Sequence, residues 1–303
     1  MRSHIDKGSK DMFGKLTQIV EPISIAVDLG TANTRFYAFS TGKIIEKPVK
    51  TKKFFQGPVT CAPTDTSDAE RSLLCSALVA SGASRVSIIP EVWAAAVGTG
   101  IDITEPTAQL LIDIGEGVTD LAIFREGRIV FSSAIRVACA DMHKAIRSSI
   151  MARHKIKLYE HEIERLTNEL FAIISEVECR SRCIRISGID VGKRCEVSIT
   201  IDHKAVIDAI LPVIGRIIRM IEKSLNAIPE RHYCEILESG ICLTGGGACI
   251  KGMDLLIAAK TGMAVKIPPA PLHAVINGTV LMLKYWNGKK GWWDNISWPR
   301  ITF

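Results

Sequence analysis

Two stretches of the chain share one pattern of apolar and polar positions, which predicts a strand, a short turn and a second strand. In the first stretch, the apolar residues 23–27 precede a polar turn, and residues 35–39 then alternate between polar and apolar side chains. In the second, residues 110–112 lead into a polar turn, and residues 120–124 follow as a strand. Four positions recur in the same register, so that Asp28, Gly30, Thr34 and Phe39 match Asp113, Gly115, Thr119 and Phe124. This repeat predicts two similar α/β domains that face each other.

Both turns carry residue types that suit a phosphate group and a hydrated cation. Glycine lets a ligand approach main-chain N–H groups, and Asp28 and Asp113 each place a carboxylate at a turn. Mg²⁺ keeps most of its waters and takes few direct protein ligands. A single Asp-x-Gly sequence between strands is most often only a turn, so it is the repeat that favours a phosphate site.

A third glycine-rich turn follows an apolar run late in the chain. Residues 241–243 predict a strand, and Gly245, Gly246 and Gly247 follow Thr244. Three glycines let the backbone lie flat against a base or sugar, and a helix is expected to begin just after them. The three turns together predict a site for a nucleoside triphosphate.

Periodicity and capping residues predict the remaining elements. The main predicted strands are 59–62, 86–89, 128–131, 197–201 and 264–267, and the main predicted helices begin near 68, 91, 142, 160, 203, 253 and 272. Ser67 is the expected N-cap of the first helix, with Glu70 three residues on. Asp141 and Asp202 are expected to cap two further helices, and residues 41–58 are expected to form a basic, turn-rich connection.

Composition indicates a globular chain. A length of 303 residues is enough for two medium domains, and 47 % hydrophobic with 23 % charged residues excludes a disordered chain. The net charge of +6 is compatible with anionic lipid or nucleic acid without requiring either. No apolar run approaches the roughly 18 residues of a spanning helix, and the first residues lack the apolar region of a signal peptide.

The nine cysteines do not predict a metal site or a disulfide framework. No C-x-x-C pair occurs, and although Cys179 and Cys183 are one helical turn apart, no further ligand pattern follows them. Their apolar settings favour thiols of the core or surface in a reducing cytoplasm.

The motifs resemble those of the actin superfamily of ATPases, and most closely those of the bacterial MreB-like family. Residues 28–34 match the family pattern without a substitution, and the resemblance extends over about 23–284. It implies an α/β, actin-like two-domain fold, in which duplicated ribonuclease-H-like domains surround a nucleotide cleft. The implied organisation is a flexible leader at 1–21, a first domain at 22–105 plus 271–285, a second domain at 106–270 with a small subdomain at about 151–203, and a Trp-rich basic tail at 286–303.

The chain departs from the family near residues 41–58. In the family a small subdomain of the first domain stands there and forms one wall of the cleft, whereas this chain has only a short connection. Three functions stay open on this basis. They are a filament-forming cytoskeletal ATPase, a non-polymerising ATPase that works as a switch or chaperone, and a metabolite kinase, which would need an additional substrate-binding insert.

The resemblance implies ATP and Mg²⁺ as cofactors and slow ATP hydrolysis. Asp28 and Asp113 would hold Mg²⁺ through water, and Glu91, Asp113 and Thr119 would serve catalysis, with Glu91 orienting the attacking water. Glu91 could instead only favour the start of its helix. The nucleotide would be contacted by Asp28, Gly30, Thr31, Ala32, Asn33, Gly115, Glu116, Gly117, Glu169, Gly245, Gly246 and Gly247. Glu116 replaces a frequent glycine, and Glu169 could equally be a solvated helix charge.

The expected partners are other copies of the chain, membrane-associated proteins and an anionic membrane surface, without specific nucleic acid. Residues 12–20 and the tail at 286–303 carry apolar and aromatic residues beside basic ones, as membrane-contacting segments do. The tail could instead pack on the protein itself. The expected location is the cytoplasm, including the inner face of the membrane.

Overall fold

In the described part of the chain, two large mixed sheets and one small sheet form the framework. The computed structural model describes residues 25–29, 33–38, 43–48, 59–80, 86–169, 183–286 and 301–302. The first sheet contains β1 (Ile25–Leu29), β2 (Asn33–Ala38), β3 (Lys43–Pro48), β4 (Val59–Ala62), β5 (Ser87–Pro90) and the last strand of the chain, β14 (Ile301–Thr302). The second contains β6 (Gln109–Ile114), β7 (Thr119–Arg125), β8 (Arg128–Ile135), β12 (Ile241–Thr244) and β13 (Val265–Lys266). The small sheet contains β9 (Ile156–Leu158), β10 (Cys183–Asp190) and β11 (Cys195–Asp202).

Helices connect the strands. In the described part of the chain they are α1 (Asp68–Ala80), α2 (Glu91–Thr99), α3 (Cys139–His154), α4 (Glu160–Glu169), α5 (Lys204–Ala227), α6 (Glu230–Ser239), α7 (Met253–Thr261) and α8 (Ala274–Trp286). Short 3₁₀ turns at Gly246–Cys249 and Pro271–His273 follow β12 and precede α8, respectively. Of the helices in these ranges, none combines the length and the apolar composition that crossing a bilayer requires.

The two large sheets have the same topology. The strand order is β3-β2-β1-β4-β5 in the first sheet and β8-β7-β6-β12-β13 in the second, with β14 added beyond β5. In each sheet three antiparallel strands are followed by two that run parallel to the central one. The leading hairpins also share a register, because Asp28 lies opposite Arg35 and Asp113 lies opposite Asp120. The predicted duplication is confirmed.

Both faces of the second sheet are covered. The side chains of a strand alternate between the two faces, so those of β6 pack into two different cores. On β6, Leu110 and Ile112 join the larger core, which α3, α5 and α7 complete. The side chain of Leu111 points the other way, into a second core formed with α2 and α8. Trp93 of α2 packs edge-on against Phe124 of β7, with ring centroids 5.5 Å apart. This second core joins the two sheets into one unit, since Cys61 and Ile89 of the first sheet belong to it.

Helices α2 and α8 approach so closely that only glycine fits at two positions. A Cβ atom added to Gly98 would lie 1.8 Å from the carbonyl oxygen of Ala274. A Cβ atom added to Gly278 would lie 1.7 Å from the carbonyl oxygen of Ala94. This contact fixes the position of α2, which begins at Glu91.

The predicted capping residues all accept hydrogen bonds from main-chain N–H groups, in different arrangements. The Ser67 and Glu70 side chains accept hydrogen bonds from each other's main-chain N–H groups, which confirms the capping box at α1. The Asp202 carboxylate accepts a hydrogen bond from the N–H of Lys204, the first residue of α5. Asp141 caps α3 as predicted, but from within the first turn: the helix begins two residues earlier, and the Asp141 carboxylate accepts a hydrogen bond from the N–H of Ala138.

The prediction for residues 41–58 is corrected in part, because Lys43–Pro48 is a strand that pairs with β2. Only residues 49–58 separate β3 from β4, so no subdomain is inserted between them. The predicted leader at 1–21 and residues 287–300 of the tail lie outside the described residues, as do the turn residues 30–32. The end of the tail is described as β14, which pairs with β5. The predicted domain boundaries stay a prediction.

Candidate functional site

The turn after Asp113 and the glycine-rich turn after Thr244 lie side by side. Their strands are parallel neighbours, and Thr244 of β12 is in register with Asp113 of β6. The first turn closes with a 3.0 Å hydrogen bond from the N–H of Gly115 to the carbonyl of Val118. The structure therefore brings together two of the three turns that the sequence singled out.

The glycine-rich turn lies directly on the residues of β6. A Cβ atom added to Gly245 would lie 2.2 Å from a carboxylate oxygen of Asp113, and the φ angle of Gly245 is +80°. A Cβ atom added to Gly247 would lie 2.4 Å from the Cβ of Ile114. Side chains at these positions would push the turn away from the strand. Glycine is therefore required for contact as well as for backbone conformation.

Pro271 holds the glycine-rich turn from the other side. Its carbonyl accepts a 3.0 Å hydrogen bond from the Thr244 hydroxyl and a 3.3 Å hydrogen bond from the N–H of Gly245. The turn then continues as the 3₁₀ segment Gly246–Cys249. It is therefore fixed between β6 and the segment that leads into α8.

The N-terminus of helix α3 lies against the turn after Asp113. The N–H groups of Cys139 and Ala140 donate to the carbonyls of Gly115 and Glu116, at 3.2 and 2.8 Å. The first N–H groups of a helix have no partners within it, so these bonds satisfy them while fixing the turn. The positive end of the helix dipole thus lies beside Glu116 and Gly117, where it favours negative charge.

Two predicted site residues of the second hairpin are buried. Asp113 is 6 % exposed, and Thr119 is fully buried with its hydroxyl donating to the carbonyl of Val137 at 2.7 Å. Thr119 therefore fixes the segment that enters α3, and a part in hydrolysis stays a prediction. Burial, together with the nearby carboxylates of Glu116 and Asp113, raises the pKa of Cys139 to about 12, so this neighbouring thiol stays protonated.

Two polar contacts link the halves of the molecule beside this hairpin. The buried Asp120 carboxylate accepts a 3.1 Å hydrogen bond from the N–H of Thr64, which follows β4. Burial raises the pKa of Asp120, and hydrogen bonding from Thr64 offsets only part of that increase. The exposed Arg136 guanidinium donates to Asp65 at 2.9 Å and to Glu70 at 3.1 Å. Both contacts join the segment after β4 to the second sheet.

The other predicted site residues are placed as follows. Glu91 is the half-buried first residue of α2, a helix that packs against β6 and β7. The backbone of Asp28 matches that of Asp113, and Asn33 begins β2, whereas Gly30, Thr31 and Ala32 lie outside the described residues. Glu169 is the last residue of α4, and its side chain lies outside the described part. Within the described ranges, no cluster of His, Cys, Asp and Glu is arranged as a metal site.

Sequence reasoning missed several residues that shape the site. Two of them hold the predicted turns from positions far apart in sequence, since the N–H of Cys139 donates to Gly115 and the carbonyl of Pro271 accepts from Gly245. The third, Asp120 on β7, accepts a hydrogen bond from the N–H of Thr64. The signals in the sequence are the position of Asp120 next to Thr119 and the place of Pro271 within the stretch that resembles the family.

Comparison with known proteins decides the family. The model of the MreB/Mbl protein family matches residues 44–290. The chain belongs to the MreB/Mbl family. This membership makes it an actin-like protein of the cell shape-determining cytoskeletal family.

Two named relatives show the extent of the match. The cell shape-determining protein Mbl of Bacillus cereus is 30 % identical over 235 residues, which cover 77 % of this MreB/Mbl chain and 70 % of the relative. The cell shape-determining protein MreB of Pasteurella multocida is 29 % identical over 220 residues, which cover 73 % of this chain and 63 % of the relative.

Solved structures confirm the actin-like fold of this MreB/Mbl protein. MreB5 of Spiroplasma citri bound to ADP superimposes with a TM-score of 0.75 at 23 % identity, covering 89 % of this chain and 99 % of that one. The same protein bound to AMPPNP gives a TM-score of 0.74 at 23 % identity, covering 88 % of this chain and 98 % of that one. The MamK double helical filament gives 0.67 at 15 % identity, with 86 % and 98 % covered.

Proposed function

We propose that this chain is an ATP-binding, actin-like cytoskeletal protein that assembles with copies of itself in a nucleotide-dependent way and hydrolyses ATP slowly. It would serve cell shape or intracellular organisation. Family membership supports this proposal, together with fold neighbours that were solved with AMPPNP, with ADP or as a filament.

One observation carries the proposal: the Asp113 turn, the glycine-rich turn and the N-terminus of α3 meet at one place. Glycine backbones and a helix N-terminus favour phosphate groups, because they offer N–H groups and partial positive charge. The half-buried Gly115 and Gly117 lie in the turn itself, so a ligand can reach the main chain there. This surface has the chemistry that a nucleotide with phosphates requires.

The chain's own residues fit ATP with Mg²⁺. Asp28 and Asp113 would hold the cation through its waters, which suits a hard ion that gives up water reluctantly. Phosphate oxygens would meet the turn residues, and Gly245, Gly246 and Gly247 would lie against the adenosine. The phosphate-contacting set would be Gly30, Thr31, Ala32, Asn33, Gly115, Glu116 and Gly117. Glu169 would approach the ribose or base.

Hydrolysis would depend on Glu91. It begins a helix held in place by the glycine contacts with α8, so its position is well defined. A carboxylate there can orient water, and phosphoryl transfer needs little from a protein beyond positioning and charge stabilisation. Thr119 would help by fixing the entry to α3 through its hydrogen bond to Val137.

A second candidate is a non-polymerising ATPase switch of the same family. The observation that favours it is the length of the connection, since only residues 49–58 separate β3 from β4. The resemblance places a cleft wall and part of the filament contact at this point. The chain could therefore bind nucleotide without forming the usual longitudinal contacts.

We also propose peripheral contact with an anionic membrane through residues 12–20 and the tail at 286–303. These segments carry aromatic and basic residues, whose combination suits the bilayer surface. Co-sedimentation with anionic vesicles checks this, and we expect binding to fall when either segment is removed. Unchanged binding after removal of both would contradict it.

Sedimentation combined with negative-stain microscopy tests the proposed function. We expect polymer with ATP and Mg²⁺, and less polymer with ADP or without nucleotide. ATP binding with no polymer across salt and nucleotide conditions would favour the switch. The absence of ATP binding altogether would contradict both candidates.

A further inference from the structure

A groove of about 620 Å³ lies between strand β8 and helix α5. None of the residues proposed for the nucleotide lines it. Phe131, Ile135 and Met220 supply an apolar floor, and this floor belongs to the edge of the larger core. A volume in this range is typical of pockets that enclose a small ligand or several side chains of a partner.

Cationic side chains surround this groove. Arg216, Arg219 and Lys223 are exposed and lie at positions i, i+3 and i+7 of α5, so they share one face of the helix. They form a stripe of about 10 Å, at 1.5 Å per residue. Arg136 is the fourth cation, but Asp65 and Glu70 already neutralise it.

The charge of the stripe is not balanced within the part of the chain that the structure describes. Over these ranges, no carboxylate lies within ion-pair distance of the three cations of α5. The residues that line the groove also include no Asp or Glu. A ligand that brings negative charge would therefore be attracted to this side of α5.

The other side of the groove is an open sheet edge. β8 is the last strand of the second sheet, and among the described strands it pairs only with β7. An edge strand presents main-chain N–H and C=O groups that can pair with another extended chain. Val130 on this strand is 42 % exposed, so part of one face of β8 is open to solvent as well.

We propose that the groove binds an extended acidic segment of a partner protein, which adds as a strand to β8. Main-chain hydrogen bonds would supply affinity, as in other cases of strand addition. In an extended chain, alternate side chains point the same way and are about 6.6 Å apart, so two acidic residues at alternate positions can pair with Arg219 and Lys223, which are about 6 Å apart along the axis of α5. The side chains between them face the opposite way, and the apolar stems of the acidic side chains lie over the floor.

The concave shape decides between a peptide and a lipid surface. A bilayer is flat on this scale, so it would contact the rim without reaching the floor formed by Phe131 and Met220. A single extended chain fits between a strand and a helix and uses the strand edge as well. One extended peptide can thus use the apolar floor, the cationic stripe and the open strand edge together.

Fluorescence anisotropy of the full chain with a labelled ten-residue peptide of alternating Glu and Val tests the proposal. We expect the double variant Arg219→Glu/Lys223→Glu to bind about tenfold more weakly, because two exposed ion pairs become repulsive. The matched control Lys157→Glu/Lys193→Glu makes the same charge change at two exposed positions, one on β9 and one in the turn between β10 and β11, and should bind like the wild type. Arg219→Ala is the second variant should the double one fail to fold.

Two further peptides test strand addition. N-methylation of all valines blocks hydrogen bonding along one edge of the peptide, and N-methylation of all glutamates blocks the other. We expect one of the two to lose binding, and equal binding of both would overturn strand addition.

Other ligands provide the decisive contrast. A peptide of alternating Lys and Val should not bind. Phosphatidylglycerol vesicles and a single-stranded oligonucleotide should lose less affinity than the peptide does in the Arg219→Glu/Lys223→Glu variant, because they use the charge of the stripe but not the strand edge. Loss of vesicle or oligonucleotide binding in that variant, with peptide binding unchanged, would overturn the proposal in favour of those ligands. These outcomes do not depend on ATP binding, which can be measured in the same samples.

Discussion

At the scale of single residues, the candidate site depends on contacts that leave no room for a side chain. Gly245 and Gly247 lie against Asp113 and Ile114, and the carbonyl of Pro271 holds the same turn from the other side. Such a turn is fixed before any ligand arrives. The arrangement is therefore sensitive to single added atoms.

Gly247→Ala should disturb the site. The added Cβ would lie 2.4 Å from the Cβ of Ile114, and overpacking of this kind costs about 1–3 kcal/mol. We expect a lower melting temperature and weaker ATP binding, measured by thermal denaturation and titration calorimetry. Gly192→Ala is the matched control, because its nearest contact would be 3.4 Å, to Asp190. Equal ATP affinity in the two variants would show that Gly247 is not near the nucleotide.

Asp120 should make stability depend on pH. Burial raises its pKa in the folded protein, so the folded state keeps this proton to a higher pH than the unfolded chain does. The contribution of Asp120 to stability therefore falls as pH rises from the ordinary range of aspartic acid to the raised value, and stays low above it. Asp120→Asn should remove this dependence and raise the melting temperature at neutral pH, since Asn can still accept from Thr64. A lower melting temperature at every pH would contradict this.

Glu91→Gln should separate ATP binding from hydrolysis. We expect ATP affinity to stay near the wild-type value while turnover falls by about 100-fold, as for the loss of a positioned acid–base group. Phosphate release and titration calorimetry measure the two quantities. Glu105→Gln, at an exposed position, is the control. Unchanged turnover would mean that Glu91 only begins its helix.

At the scale of elements, helices α2 and α8 tie the second core together. Their contact runs through Gly98 and Gly278, with the backbone of each helix against the glycine of the other. Because α2 also carries Glu91, the same contact positions a predicted catalytic residue.

Gly278→Ala tests this contact. Alanine is favoured over glycine in a helix by about 1 kcal/mol, but the new Cβ would lie 1.7 Å from the carbonyl oxygen of Ala94. That clash is with backbone and cannot be relieved by a side-chain rotation, so we expect a net loss of about 1–3 kcal/mol. Chemical denaturation measures it. A stabilised variant would show that the helices are farther apart than described.

Elements with a strong local pattern could be predicted from the sequence. The two hairpins, the capping box at Ser67 and the long helix α5 are set by periodicity and caps that involve neighbouring residues. β3 was not predicted, because Lys43–Pro48 contains only two adjacent apolar residues and its extended form depends on pairing with β2. Helix α6 was missed as well, since its apolar positions are few and Ile236 alone is buried.

The site residues that lie within a sequence motif could be predicted. Asp113, Gly115 and the three glycines after Thr244 stand in recognisable turns, and the structure places those turns together. The contacts from Cys139 and Pro271 were not predictable, because they join segments far apart in sequence and carry no pattern. Such contacts follow from the packing of whole elements.

At the scale of the whole molecule, two sheets of one topology are joined by a shared core and by contacts beside the second hairpin. Arg136 of the second half bonds to Asp65 and Glu70, which follow β4 of the first. The matching registers place Asp28 and Asp113 at equivalent positions in the two halves. We propose that both hairpins together bind one ATP with its Mg²⁺.

Titration calorimetry of the full chain with ATP, with and without Mg²⁺, tests whether both hairpins hold the same Mg²⁺ and ATP. We expect the wild type to bind ATP more tightly with Mg²⁺, and Asp28→Ala and Asp113→Ala each to lose the Mg²⁺-dependent part while still folding, as judged by circular dichroism. Asp68→Ala, at an exposed position of α1, should behave like the wild type. Wild-type ATP affinity in both hairpin variants would show that the two hairpins do not form one Mg²⁺–ATP site.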